Sequence, residues 1–208
     1  MRGSRRILAR LAGVAVSAAV CAAAISGAGA AWAAPELRIA AGSTLGVTGN
    51  PGTGGSTVSL GTLWPVNERF AFGVDLFADD LGTGLADLHD PNTGTALGTV
   101  ASTHRWSFGG EWRGEARLRE GRRVRLLWGA GFGYGRQEQD QRGEVRDAAS
   151  GVVASSSATF LYKTGGGHAF GTTLAFRREF VHRESDPDRS TSWATAAIEW
   201  RWKRTVQE

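Results

Sequence analysis

Between positions 103 and 136 the sequence alternates with period two on both sides of a four-residue connection, and this alternation constrains the chain more than any other feature. The even positions hold His104, Trp106, Phe108, Gly110, Trp112, Gly114, Ala116 and Leu118, then Val124, Leu126, Trp128, Ala130, Phe132 and Tyr134. No carboxylate, lysine or arginine stands among them. The odd positions hold Arg105, Glu111, Arg113, Glu115, Arg117, Arg123 and Arg125, interspersed with Gly109, Gly129, Gly131, Gly133 and Gly135. Side chains alternate across a strand but recur every 3.6 residues around a helix, so a pattern this long is strand. Arg119-Glu120-Gly121-Arg122 is short, polar and contains glycine, which joins the two runs as an antiparallel hairpin. Each arm reaches about 14 residues, against the usual five or six. One face is apolar and aromatic, the other charged or glycine. Such a hairpin must lay its apolar face on a large apolar partner, either protein or lipid.

The first 33 residues point to export. Arg2, Arg5, Arg6 and Arg10 form a positive start, Leu11 to Ala24 an alanine-rich apolar core, and Ala31-Trp32-Ala33 a small-x-small cleavage site. This reads as a secretory signal over 1–33, leaving one domain over 34–208 that begins at Ala34; a cut one residue later would place Pro35 next to the scissile bond. The twin-arginine pattern is a poor match, with Leu8 and Ala9 after Arg6, and Cys21 lacks the small pair that a lipoprotein site requires. Four of the 24 basic residues lie in the signal and none of the 20 acidic ones does, so the exported chain is balanced in charge. That balance, with no basic patch carrying interleaved aromatics, argues against a nucleic-acid partner. Cys21 is the only cysteine and leaves with the signal, so the exported chain has no disulfide and no thiol chemistry.

Taken in order, the chain yields eight strands: 36–48, 56–66, 68–79, 103–118, 123–136, 152–164, 168–181 and 191–203. Gly49 to Gly55, Asp80 to Ser102, Gln137 to Gly151 and His182 to Ser190 read as polar loops, while the connections at Pro65-Val66-Asn67, Arg119 to Arg122 and Gly165-Gly166-Gly167 are short. Long and short connections therefore alternate, which places all the short turns at one end of an up-and-down meander. A soluble sandwich has no reason to sort its loops so. A barrel spanning the outer membrane does, with short periplasmic turns and long extracellular loops.

Charge and aromatic placement agree with that reading. Roughly 48 strand positions fall on the apolar face, where 21% charged content would put about ten charges, and the expectation is that none is there; lipid enforces such an absence, since Arg or Lys at the midplane costs about 2–4 kcal/mol. Trp64, Phe70, Phe72, Phe160, Tyr162, Phe170, Trp200 and Trp202 gather at the short-turn end, and Trp106, Phe108, Phe132, Tyr134 and Phe176 at the long-loop end. Two girdles of rings are what two membrane interfaces select. Trp112 and Trp128 fall nearer the middle. The other face then points into a lumen just wide enough to be filled by side chains. Its expected charges are Arg38, Arg69, Asp75, Arg105, Glu111, Arg113, Glu115, Arg125, Arg177, Glu179, Glu199 and Arg201, mixed in sign and so interlocked rather than lining a pore.

The pattern resembles the small eight-stranded outer-membrane barrels of the OmpA and OmpX type over the whole of 34–208. The most specific stretch is Thr195-Ala196-Ala197-Ile198-Glu199-Trp200-Arg201-Trp202, which is similar to the C-terminal assembly signal of such barrels, although Ala197 stands where glycine is usual and six residues follow Trp202. The resemblance implies an all-β transmembrane barrel in the outer membrane of a Gram-negative-type bacterium. It also implies insertion by the outer-membrane assembly machinery through the last strand, and contact with membrane lipid and lipopolysaccharide. A monomer without a cofactor is expected, and no peptidoglycan-binding domain follows.

Some eight-stranded barrels modify lipid A, with His, Ser and a carboxylate near the outer rim. Here His182, Ser185 and Asp186, with Glu184, lie in the last loop but form no recognisable motif, so they stand as weak catalytic candidates. Asp87, His89 and Asp90 are weak candidates for a divalent cation, and a polar loop explains them equally well. No P-loop, zinc-ligand spacing or dinucleotide fingerprint occurs. Three functions therefore remain open: a structural or surface-interaction barrel whose loops meet an unknown partner, a rim enzyme acting on lipid A, and a soluble lipocalin-like carrier with the apolar face turned inward.

Overall fold

A computed structural model of the chain describes residues 34–46, 54–89, 96–141, 144–181 and 190–203. The expected signal segment, 1–33, lies outside them. Eight strands follow one another: β1 (Glu36–Gly46), β2 (Gly55–Pro65), β3 (Phe70–His89), β4 (Ala96–Glu120), β5 (Val124–Gln141), β6 (Glu144–Gly165), β7 (His168–Val181) and β8 (Ser190–Lys203). Each pairs antiparallel with the next, and β8 closes onto β1. Closure leaves no strand edge unpaired within the barrel, which is the condition a strand structure must meet to sit in lipid.

The registers fix its shape. From Glu36 the paired partners run Leu63, Gly73, Arg113, Gly131, Ser155, Arg177 and Trp193, and return to β1 at Gly46, ten residues above the start. Ten residues of stagger over eight strands tilts each strand by about 40° from the barrel axis. Odd and even positions thus separate cleanly into inward and outward sets. On β2, for example, Thr57, Ser59, Gly61 and Leu63 are buried, and Val58 is exposed on the other side.

Two of the expected loops are strand. The stretches Asp80 to Ser102 and Gln137 to Gly151 mostly continue β3, β4, β5 and β6, which pair up to His89↔Ala96, Thr103↔Gln141 and Gln141↔Glu144. What remains of those connections is 90–95 and 142–143, outside the described residues. The reason lies in the bulges: the register shifts between Asp80 and Gly82, Gly84 and Ala86, Leu88 and His89, and Gln139 and Asp140. Each shift leaves one residue more unpaired on one strand than on its partner and resets the inward/outward parity between them, so the period-two signal disappears while pairing continues. At the short end the three turns fall where expected, but β3 begins at Phe70 instead of residue 68 and β4 runs on to Glu120. Asn67 Oδ1 accepts hydrogen bonds from Arg69 N (2.8 Å) and Phe70 N (2.9 Å), holding Arg69 in the turn so that β3 begins at Phe70. Gly165, Gly166 and Gly167 all adopt positive φ in the β6–β7 turn, a conformation other residues resist.

Inward glycines let neighbouring strands approach. A Cβ on Gly133 would lie 2.0 Å from Gly110 O and 2.5 Å from Glu111 Cα, both backbone atoms that cannot step aside. On the outward Gly114 the nearest atom would be 4.0 Å away. Gly133→Ala is therefore expected to destabilise the folded barrel by about 2 kcal/mol, whereas Gly114→Ala leaves it unchanged; urea titration of the refolded chain in detergent micelles, followed by tryptophan fluorescence, measures both.

Candidate functional site

The lumen holds a network of buried charge, with Glu179 beside it accepting a hydrogen bond from Ser107 (3.0 Å). Arg38, Asp75, Glu111, Arg113, Glu115, Arg177, Glu179, Glu199 and Arg201 are each no more than 5% exposed. Arg201 sits at its centre, holding Glu115 with two parallel bonds (Nη1 to Oε2 2.6 Å, Nη2 to Oε1 2.9 Å) and donating to Glu199 from Nε (2.5 Å) and to Glu36 from Nη1 (3.1 Å). Arg38 donates from Nε to the other oxygen of Glu199 (2.9 Å), and from Nη1 to Ser59 (3.1 Å) and Asp75. Arg113 donates to Glu115 (2.9 Å) and to Ser157 (2.6 Å). Glu111 accepts no hydrogen bond, yet its Oε1 lies 3.7 Å from Arg113 Nη1 and 3.9 Å from Arg177 Nη2. Strands β1, β3, β4, β7 and β8 all contribute, so the network ties distant parts of the sheet together across the lumen.

Apolar residues stop the lumen at both ends of this network. Leu127, Leu161 and Ala169 cluster toward the short turns, while Phe77, Leu81, Val153 and Trp193 cluster toward the long hairpins. Asp79, wholly buried, links the upper cluster to the charges: it accepts from Thr57 (2.5 Å), Arg177 (2.9 Å) and Trp193 Nε1 (2.8 Å), and the Arg177 guanidinium lies 4.5 Å over the Phe77 ring. Asp79 and Phe77 fall on the inward side of β3 by alternation, as expected, but Asp79 is not among the twelve expected lumen charges, and Trp193, on the inward side of β8, is not expected there because only charges and glycines are counted as lumen filling. Of the expected lumen charges, Arg125 lies at the lower mouth, bonded to Glu36 (3.1 Å), and Arg105 is half-buried toward the upper one. Arg69 is a correction. It is exposed in the β2–β3 turn, because the Asn67 hydrogen bonds delay the start of β3.

The outer face is apolar. Phe70, Phe72, Phe160, Tyr162, Phe170 and Trp202 are exposed toward the short turns, with Trp64 and Trp200 half-buried among them; Trp200 stacks 5.8 Å from His168. Toward the hairpins stand Trp106, Phe108, Tyr134, Phe176 and Phe180. Phe132 is exposed on the same face, as the cross-strand partner of Trp112. The outer face also carries charges that the alternation count overlooked. Arg178 points outward beside Phe180 and donates to Ser190 (3.1 Å), and Arg136 points outward paired with Glu138 (3.2 Å). Both stand at the upper edge of the apolar band. A soluble carrier needs the apolar face inside, and the structure turns it outward with the charges within.

His182, Ser185 and Asp186 lie outside the described residues, as does Asp90. Asp87 and His89 belong to β3 rather than to a loop. Among the described residues no group of three or more potential ligands is arranged to hold a metal. One cluster of histidine, carboxylate and hydroxyl does occur at the upper rim: Thr83 Oγ1 is 3.1 Å from His104 Nδ1, and Asp80 Oδ1 is 2.9 Å from His104 Nε2. The same Asp80 oxygen accepts from Gly82 N (2.7 Å) at the bulge, where Gly82 has φ +80°. The Asp80 to His104 contact lacks hydrogen-bond alignment. The cluster's geometry fastens the bulge between β3 and β4.

A scan of protein-family models finds no match, and a search of curated protein sequences finds none. Solved structures do match. Neisserial surface protein A superposes with a TM-score of 0.60 at 11% identity, over 81% of this chain and 96% of that one. Outer membrane protein H of P. aeruginosa (TM-score 0.45, 15% identity, 82% and 100% covered) and Ail of Yersinia pestis (0.42, 11%, 82% and 99%) match at lower scores. The first of these likenesses establishes the fold: this chain is built as the small eight-stranded outer-membrane barrels are.

Removing one member of the lumen network leaves its partners charged and buried. Arg201→Met strips Glu115 and Glu199 of their main donor and is expected to destabilise the barrel by about 3–5 kcal/mol, the scale of a broken buried pair. Adding Glu115→Gln to it recovers a large part of that loss. Urea midpoints of the two variants in micelles measure the effect, and a single variant no weaker than the outward Thr172→Ala would contradict it.

Proposed function

We propose that the chain is an integral outer-membrane barrel, exported through a cleaved signal, that serves the envelope as a structural and surface-contact protein. The observation that carries this reading is the outward band between the two aromatic groups, which holds exposed Phe, Trp, Leu, Ile and Val and no charged side chain below Arg178 and Arg136. From His168 to Arg178 is ten residues of tilted strand, about 25 Å of height, matching the apolar belt of such barrels. An exposed apolar belt of this extent has no place in water. Lipid tails cover it, and the rings sit at the two interfaces. The barrel works as a monomer, because closure leaves no edge to pair.

Above the band β3–β4 and β5–β6 continue as a four-stranded sheet as far as Thr103↔Gln141, and β3–β4 runs on as a two-stranded ribbon to His89↔Ala96, so that Asp80 to His89 adds about 20 Å beyond the lipid. This sheet, rather than flexible loops, is the surface offered to lipopolysaccharide and to whatever partner the protein meets outside the cell. A fold neighbour named as a surface protein is in keeping with that role. The lumen, filled by ion pairs and stopped by Leu127 and Leu161 below and Trp193 above, supports a closed barrel without a wide pore. No described constellation favours an enzyme, and no cofactor is invoked.

Peptide tags test the orientation. A tag inserted between Gln141 and Glu144 is expected to be labelled by antibody on intact cells, and one inserted at Gly166 only after the outer membrane is permeabilised. The reverse pattern, or equal labelling of both without permeabilisation, would contradict the proposal.

A further inference from the structure

The two rims of the barrel differ in charge. At the short-turn end, residues 66–69, 117–125, 163–168 and 203 together with Glu36 carry eight Arg and Lys against three Glu. At the hairpin end, among the residues whose side chains are described, the outward charges Asp80, Arg136, Glu138 and Arg178 balance. The excess is also free to act. Glu120 is already engaged by three cations, through Arg117 Nε (2.6 Å), Arg125 Nε (3.5 Å) and Lys163. Burial works against its charge, but the Lys163 hydrogen bond and the fields of Arg125 and Arg117 hold it below the usual carboxylate range. Glu36 is held by Arg125 and Arg201. Arg69, Arg119, Arg122, Arg123 and Lys203 are exposed, and none of them pairs with a carboxylate among the described residues.

These cations lie on adjacent turns joined by backbone bonds. Arg117 N donates to Arg69 O (2.7 Å), Lys163 N to Arg123 O (2.8 Å), and Lys203 N to Gly167 O (2.9 Å). The arc they form runs beside the lower aromatic group: Leu118 is 62% exposed, Tyr162 is 43% exposed, and Arg123 Nη1 reaches the Tyr162 hydroxyl at 3.5 Å. That is the depth at which lipid headgroups meet the protein. Guanidinium groups there present fixed forks of donors to phosphate oxygens.

We infer that the short-turn rim binds anionic phospholipid headgroups of the inner leaflet, with Arg119, Arg122 and Arg123 of the β4–β5 turn as its main contacts. The inference rests on the outer-membrane reading above, and it assigns the lipid contact to the leaflet opposite the one that carries lipopolysaccharide. Phosphate in the outer leaflet would call for the excess cations at the other rim, and a cell-wall polymer would not need them beside exposed Leu118 and Tyr162. Each such cation near an anionic surface contributes about 1 kcal/mol, roughly a fivefold change in retention.

The test uses the mature chain folded in zwitterionic micelles, with phosphatidylglycerol or phosphatidylcholine added at equal concentration and retained lipid counted by native mass spectrometry. Phosphatidylglycerol is expected to be retained at least tenfold better, and the preference to shrink in 0.5 M salt. Arg119→Gln/Arg122→Gln/Arg123→Gln, at exposed positions without ion-pair partners, should bring retention down to the phosphatidylcholine level, while Arg136→Gln/Arg178→Gln at the other rim leaves it unchanged. Equal retention of the two lipids, an undiminished preference in the triple variant, or cosedimentation with purified cell-wall sacculi without lipid preference would overturn the inference. Gel mobility in SDS before boiling checks closure of each sample; a wild-type chain that never closes overturns the barrel reading itself, and this site with it.

Discussion

In the core of a bilayer no water is present to satisfy a backbone N–H or C=O, and the rest of this structure depends on that constraint. Strands can meet it only by pairing on both sides, so β8 must find β1, and the sheet must close. With eight strands and a stagger of ten residues the closed barrel is narrow, and its interior has to be filled by side chains. The apolar residues are committed to the lipid side by the same closure. What fills the lumen is then the opposite set: arginines, carboxylates, hydroxyls, and glycines where neighbouring strands come close.

Filling a lumen with charge is workable only if the charges answer one another. Arg201, Arg38 and Arg113 bridge Glu115, Glu199 and Asp75 in a chain of bonds that crosses the barrel, and Arg177 with Trp193 completes the coordination of Asp79 above them. Each desolvated group is costly alone, and each has at least one partner of opposite charge or a hydrogen-bond donor in reach. Neighbours such as Gly129 and Gly131 leave the volume that these side chains occupy: a Cβ there would come within 2.8 Å of Arg113 and Glu111. Charge, glycine and closure are thus parts of one solution.

Much of this was legible in the sequence because strand parity is strict inside a barrel. The run from Trp106 to Tyr134 reported both faces of β4 and β5 at once, and the inward assignment of Arg38, Asp75, Glu111, Arg113, Glu115, Arg177, Glu199 and Arg201 needed only counting by two. The reading failed where parity itself fails. Bulges at Gly82, at Ala86 and near Asp140 reset the alternation, so the upper halves of β3 to β6 looked like polar loops although their backbone pairing continues. Trp193 escapes a reading that fills the lumen with charges and glycines alone, and Arg178 sits in an apolar neighbourhood on β7 at the membrane's edge. Arg69 depended on the side chain of Asn67, a local hydrogen bond that no periodicity reports.

The apolar face of this barrel meets lipid and its charged face is enclosed. Refolding the mature chain with and without detergent micelles, and running it in SDS before and after boiling, tests it most directly. The expected result is β-type circular dichroism only when micelles are present, and a folded band whose mobility shifts on boiling. A chain that folds and stays dispersed in plain buffer, with no shift on boiling, would contradict it.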